Sequence, residues 1–297
     1  MKKRTLRVFI MTLLVTILTG CRQSVPQSRT VLEEGNAVYY WRTDLHLDST
    51  ERAFLDTYHI SRIYCRYFDV VMSDGEPMPN ATITFSEPVL ESVEIVPTVF
   101  ITEDVLHHPI DSLAERIVRR IVQINETNDI SGVREIQIDC DYTLRSRETY
   151  YNFLQAVANS SPFTLHFSRL STTIRLHQLS MPEPPVDYGV LMLYNTGDPT
   201  TFTGRNPILD INDVAPYLHY LPDYQLPLGA AYPVFLWNRK IHGVRVQHTA
   251  DTKDIFEVKQ AVEARRNDLR QLIITYHLST DNIQRYQPED YEKIFSH

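Results

Sequence analysis

Short runs rich in β-branched and aromatic residues alternate with amphipathic stretches from about residue 38 to the C terminus, the order expected of parallel strands joined by helical crossovers. The predicted strands are Val38–Trp41, Ile63–Val70, Ile95–Ile101, Glu135–Tyr142, Phe163–Leu170, Val190–Tyr194, Leu228–Phe235 and Leu272–Leu278. Between them the spacing predicts helices at Ser49–Tyr58, Ile110–Asn125 and Arg147–Ala158, shorter ones near Thr172–Leu179, Ile211–Leu218 and Ile255–Arg270, and a closing helix at Pro288–Phe295. Ile110–Asn125 is the clearest, with Leu113, Ile117, Ile121 and Ile124 on one stripe and Arg116, Arg119 and Arg120 off it. Eight βα units in roughly 260 residues fit an α/β fold of the (β/α)8 TIM-barrel type, which needs about 250. A doubly wound open sheet is the alternative. Pro77, Pro79 and Pro88 make the second βα unit irregular, and residues 237–252 read as an inserted hairpin.

The N terminus carries a different signal. Lys2, Lys3, Arg4 and Arg7 precede an apolar run from Val8 to Leu18, which is too short to span a bilayer and reads as a secretory signal. Leu18-Thr19-Gly20-Cys21 follows at once and resembles the bacterial lipobox, which implies an acylated Cys21 at the mature N terminus and attachment to a membrane. Arg22 is not the aspartate that retains such proteins at the inner membrane, so the resemblance implies the outer one. The expected organisation is a signal peptide at 1–20, a lipidated Cys21 with a flexible tether to residue 35, and one barrel domain from 36 to 297.

From Cys21 onward there are 25 basic and 37 acidic residues, a net charge of −12, which disfavours a grip on nucleic acid. No two of the nine glycines lie closer than seven positions, so GxGxxG and Walker A cradles are absent, as are HExxH, CxxC and GxSxG. No cofactor and no metal site is expected. Cys65 and Cys140 fall on outward faces of strands two apart, too distant to bridge, and are expected to be buried free thiols.

In a barrel of this type the active face lies at the C-terminal ends of the strands. In strand four, period two puts Gln137, Asp139 and Asp141 on the face opposite Ile136, Ile138 and Cys140, so the polar row points inward. Asp139 and Asp141 then lie about 6–7 Å apart, where mutual repulsion calls for a cation. Arg66 of strand two supplies it if Tyr64, Arg66 and Phe68 face the lumen. Alternatively these groups form a buried ion network that only positions strands. Trp41, Asp69, Tyr194, Asn195, Trp237, Tyr276 and His277 stand at strand exits and form an expected ligand-binding rim, with aromatic faces suited to sugar rings. Glu103, Asp104 and His166 are weaker candidates for a role at the mouth, and His107-His108 makes a poor bidentate metal site.

The aspartate pair of strand four and Met192-Leu-Tyr194-Asn195 of strand six resemble the DxxDxDxE and MxYD signatures of family 18 glycoside hydrolases, which implies a substrate-assisted barrel glycosidase. This chain departs at Ile136, at Asn195 and at Thr143, the last being the position of that family's proton-donating glutamate. Ile63–Val70, Ile95–Thr102, Gln137–Tyr142 with Arg145 and Tyr150, the LMLYNTG run, Tyr232–Trp237 and Tyr276–Leu278 are similar to an uncharacterised bacterial barrel group, domain-of-unknown-function family 3142. That similarity implies the fold and supplies no reaction. Three readings remain: a membrane-anchored glycosidase using Asp139, Asp141 and Arg66; a noncatalytic glycan-binding lipoprotein; and an envelope module for protein contact.

Overall fold

The computed structural model describes residues 32–108, 110, 112–198, 204–241 and 244–297, so the signal peptide, Cys21 and most of the tether lie outside the described residues. Eight parallel strands close into a ring: β1 (Gly35–Tyr40), β2 (Ile60–Ser73), β3 (Glu94–Ile101), β4 (Glu135–Asp139), β5 (Arg169–Ile174), β6 (Tyr188–Met192), β7 (Leu228–Pro233) and β8 (Leu272–Tyr276). Each pairs with its neighbour in sequence, and β1 pairs with both β2 and β8, which closes the (β/α)8 TIM barrel.

The outer layer contains α1 (Ser49–Thr57), α2 (Leu113–Thr127), α3 (Arg147–Asn159), α4 (Ser161–His166), α5 (Ile211–Val214), α6 (Thr252–Glu263), α7 (Thr280–Ile283) and α8 (Pro288–Ile294). Asp48 and Glu51 form a capping box that starts α1, and the Leu113, Ile117 and Ile121 stripe of α2 is buried. The second unit is irregular, as the prolines require. No helix joins β2 to β3; the chain folds back antiparallel at Glu76–Asn80 and then pairs Thr84–Phe85 with Asp44–Leu45. The inserted hairpin after β7 pairs Leu236–Ile241 with Val244–Thr249. Leu32, the first described residue, is already buried at 5% exposed, inside the stretch read as tether.

Two local readings need correction. The fifth strand is Arg169–Ile174, whereas most of Phe163–Leu170 belongs to α4 and the turn after it. Ser160 accepts a hydrogen bond from the Phe163 amide and Pro162 sits in the first helical turn, so the segment starts a helix despite its β-like alternation. The expected helix at Thr172–Leu179 is correspondingly the end of β5 followed by a short 3-10 turn, Leu176–Ser180. In β2, a register shift between Arg66 and Phe68 inserts one residue. Arg66 and Asp69 therefore share the inner face, while the Phe68 ring lies 5.4 Å from the guanidinium of Arg120 on α2.

Among the described residues, no helix is long and apolar enough to cross a membrane. Cys65 and Cys140 are buried and unbridged.

Candidate functional site

The polar row of β4 does point into the barrel, and each member has a partner from another strand. Glu135, nearest the N-terminal end, accepts from Ser171 at 2.6 Å and from Tyr188, which also meets the Tyr64 hydroxyl at 2.6 Å. One layer higher, Gln137 accepts from Tyr39 at 2.8 Å. Above it, Asp139 accepts from Thr173 at 2.6 Å. Below this column lies an ionic floor. Glu33 binds Arg62 at 2.7 Å and Arg169 at 2.9 Å, and Glu94 binds Arg134 at 2.9 Å. The lumen is filled rather than hollow, so chemistry is confined to its upper end.

At that end the cation beside the aspartates is Arg175, not Arg66. One terminal nitrogen of Arg175 lies 3.6 Å from Asp139 Oδ1, its Nε donates to Asp141, and its other terminal nitrogen touches the Met192 sulfur. Arg66 instead donates to Asp69, with Nε to Oδ1 at 2.7 Å, and its guanidinium lies 5.7 Å from the Trp41 ring centre. The two aspartates differ in environment: Asp139 is 2% exposed, whereas the Asp141 side chain is 55% exposed. Burial pushes the Asp139 carboxyl up from the ordinary aspartate value, against the pull of Arg175.

Arg175 was missed because strand five was placed too early. The signal is nevertheless in the sequence: Arg169, Ser171, Thr173 and Arg175 alternate with Leu170, Thr172 and Ile174. Glu103 stands beside Thr143 and Ser146 at the mouth. Thr143 donates to it at 2.6 Å and Ser146 at 2.7 Å, and these two hydroxyls hold its carboxyl below the ordinary value, in the ionised form. It is therefore poorly suited to donate a proton.

The aromatic rim is assembled by contact among side chains from β1, β6, β7 and β8. Tyr194 stacks on Tyr276 at 4.7 Å, Trp41 meets Tyr276 at 5.6 Å, and Phe235 stands edge-on to Tyr276 at 5.4 Å and to Trp237 at 6.5 Å. Phe235 was not singled out from the sequence, where it reads as the last residue of a strand. The Tyr194 hydroxyl is buried and has no hydrogen-bond partner. Burial, with the Asp139 charge adding to it, raises the pKa of Tyr194 and of Tyr276, so both hydroxyls stay protonated donors.

Three expected residues fall outside this cluster. The His277 ring faces Asn282 of α7, with Nε2 at 3.4 Å from the Asn282 amide nitrogen, and burial lowers its pKa. Asn195 is exposed beyond β6 with a positive φ of 54°. His166 is exposed on α4, not in the lumen. Among the described residues, no group of three or more His, Cys, Asp and Glu side chains is placed to hold a metal ion.

No family model matches the chain, and no curated protein matches it, so the similarity to domain-of-unknown-function family 3142 rests on the quoted stretches alone. Solved structures do share the fold. The spore cortex-lytic enzyme SleL of Bacillus megaterium QM B1551 aligns over 90% of this chain and 74% of its own, with a TM-score of 0.55 and 11% identity. A chitinase of Bacteroides thetaiotaomicron aligns over 88% of this chain and 93% of its own, with a TM-score of 0.55 and 13% identity. At these identities the likeness is one of fold.

Proposed function

We propose that the barrel mouth binds a carbohydrate and that the chain is a glycan-binding lipoprotein of the cell envelope. The observation that carries this reading is the partly exposed Trp41, Trp237 and Tyr276, backed by the buried Tyr194 and Phe235, beside the Arg66–Asp69 and Arg175–Asp141 pairs. Aromatic faces take the C–H face of a sugar, and fixed ion pairs with spare lone pairs and N–H groups take its hydroxyls. One neighbour of the same fold is named for lysis of spore cortex and the other for chitin, which favours a glycan over other flat ligands.

Binding is favoured over cleavage because the proton donor is missing. Thr143 stands at its position, and the nearby Glu103 is kept ionised. A second reading, hydrolysis, draws on the upward shift of the Asp139 carboxyl, which makes it a proton source of the kind a glycosidase needs. Screening the full-length chain against a panel of polysaccharides for both retention and reducing-end release separates the two. Retention without release is the expected result. Release that Asp139→Asn abolishes would establish the enzyme instead, and neither retention nor release would move weight to protein contact.

The anchoring belongs to the same proposal. Acylation at Cys21 would hold the barrel at the outer membrane, and Arg22 is consistent with that sorting. Incorporation of labelled palmitate that disappears in Cys21→Ser, together with membrane fractionation, tests it.

A further inference from the structure

A groove of about 940 Å³ lies beside the barrel mouth, between the start of α6 and the segment that joins α7 to α8. Asp251, Lys253, Asp281, Gln284 and Arg285 line it, with Tyr286 among them. Within the described chain, none of the first five side chains makes a hydrogen bond or ion pair. Asp251 is the residue before α6, yet its carboxylate does not bond back to the helix. Donors and acceptors are thus gathered around one space with their capacity unused.

The groove adjoins the mouth through Thr249, which lines it. Tyr286, 9% exposed, donates to the Ala250 carbonyl at 2.8 Å, and its hydroxyl lies 3.3 Å from Thr249 Oγ1. Thr249 Oγ1 in turn donates to the Phe235 carbonyl at 3.4 Å, and the Phe235 ring belongs to the aromatic wall. The lining carries charges of both signs and is more polar than apolar. That composition disfavours an apolar peptide and a polyanion alike, and it suits the hydroxyls of a neutral sugar chain.

We propose that this groove is a second carbohydrate subsite, so that the ligand is a neutral polysaccharide chain running from the mouth past Thr249 into the groove. The proposal rests on the carbohydrate reading of the mouth. Its test is calorimetric titration of the full-length chain with β-1,4-linked oligomers of N-acetylglucosamine and of glucose, each two and six residues long. The longer oligomer of the preferred sugar is expected to bind about tenfold more tightly than the shorter, a gain of about 1.4 kcal/mol. The combined variant Asp281→Asn, Gln284→Ala, Arg285→Ala changes only exposed side chains and is expected to remove that gain while leaving the short oligomer unaffected. Lys253→Gln alone is expected to remove part of it.

Trp41→Ala is expected to weaken both lengths. Equal affinity for the two lengths, or a length gain that survives the groove variant, overturns the subsite and leaves the mouth reading intact. A gain lost in the groove variant but untouched by Trp41→Ala supports the groove and overturns the mouth. Absence of binding to every oligomer overturns both.

Discussion

Replacing Arg175 with methionine keeps most of its packed stem and removes its charge, which isolates what that charge does for Asp139. The Asp139 side chain is 3% exposed and would retain only the Thr173 hydroxyl at 2.6 Å among the partners described above. Removing one member of a buried ion pair costs about 3–5 kcal/mol, because the other charge is left buried and uncompensated. The partly exposed pairing with Asp141 adds about 0–1 kcal/mol. The loss at pH 8 should therefore lie at about 3–6 kcal/mol, most of it from Asp139.

The loss also depends on pH, with a definite sign. The Asp139 carboxyl already titrates above its ordinary 3.8 in the folded chain, and without Arg175 it climbs further. A folded pKa raised above the unfolded one gives stability that is complete below the unfolded value and lost as pH rises through the folded value. A protonated Asp139 needs no counter-charge, so the penalty of Arg175→Met shrinks toward pH 4 and is complete only above the variant's folded pKa. Urea denaturation of both proteins at about pH 4.5 and about pH 8 reads the difference through the shift in midpoint. Adding Asp139→Asn to Arg175→Met should recover most of the loss at pH 8, as expected for coupled neighbours. A penalty equal at both pH values, or below about 1 kcal/mol at pH 8, would refute the assignment of Arg175 as the counter-ion.

Thr173→Val, nearly isosteric, removes the hydroxyl that Asp139 accepts from and should cost about 1.5–3 kcal/mol at neutral pH by the same assay. Gly189→Ala would place a Cβ 2.7 Å from Ile174 Cγ1 and 3.0 Å from Leu228 Cδ2, so it should lower stability by about 1–3 kcal/mol. Cys65 and Cys140, both 0% exposed with thiol pKa values pushed up by burial, should resist alkylation in the native chain and react only on unfolding, as read by peptide mass spectrometry.

The barrel was legible because its strands are short apolar runs separated by helix-period stretches, and because the inward row of β4 keeps strict period two. The site was legible only in part. Asp139, Asp141, Tyr194 and Tyr276 follow from reading strand exits. Arg175 does not, because Ser160 and Pro162 turn an alternating segment into a helix and move the true strand downstream. The pairing of Arg66 with Asp69 depends on one inserted residue in β2, and a bulge leaves no composition signature of its own. Glu103 reaches Thr143 across 40 residues of sequence, a contact that no local spacing encodes.

Leu32 and Glu33 precede the first strand, yet they set how far a protease can trim the chain from its N-terminal side. Glu33 neutralises Arg62 and Arg169, which are 4% and 8% exposed. A cut after residue 33 would remove the shortest ion pair of each of these two buried cations and leave them only the longer pairings with Glu94 and Glu135, whereas a cut before residue 32 would leave all of these pairs in place. Limited digestion should therefore stop at a stable fragment whose first residue is Leu32 or earlier, and a chain shortened past Glu33 should unfold at lower urea than that fragment.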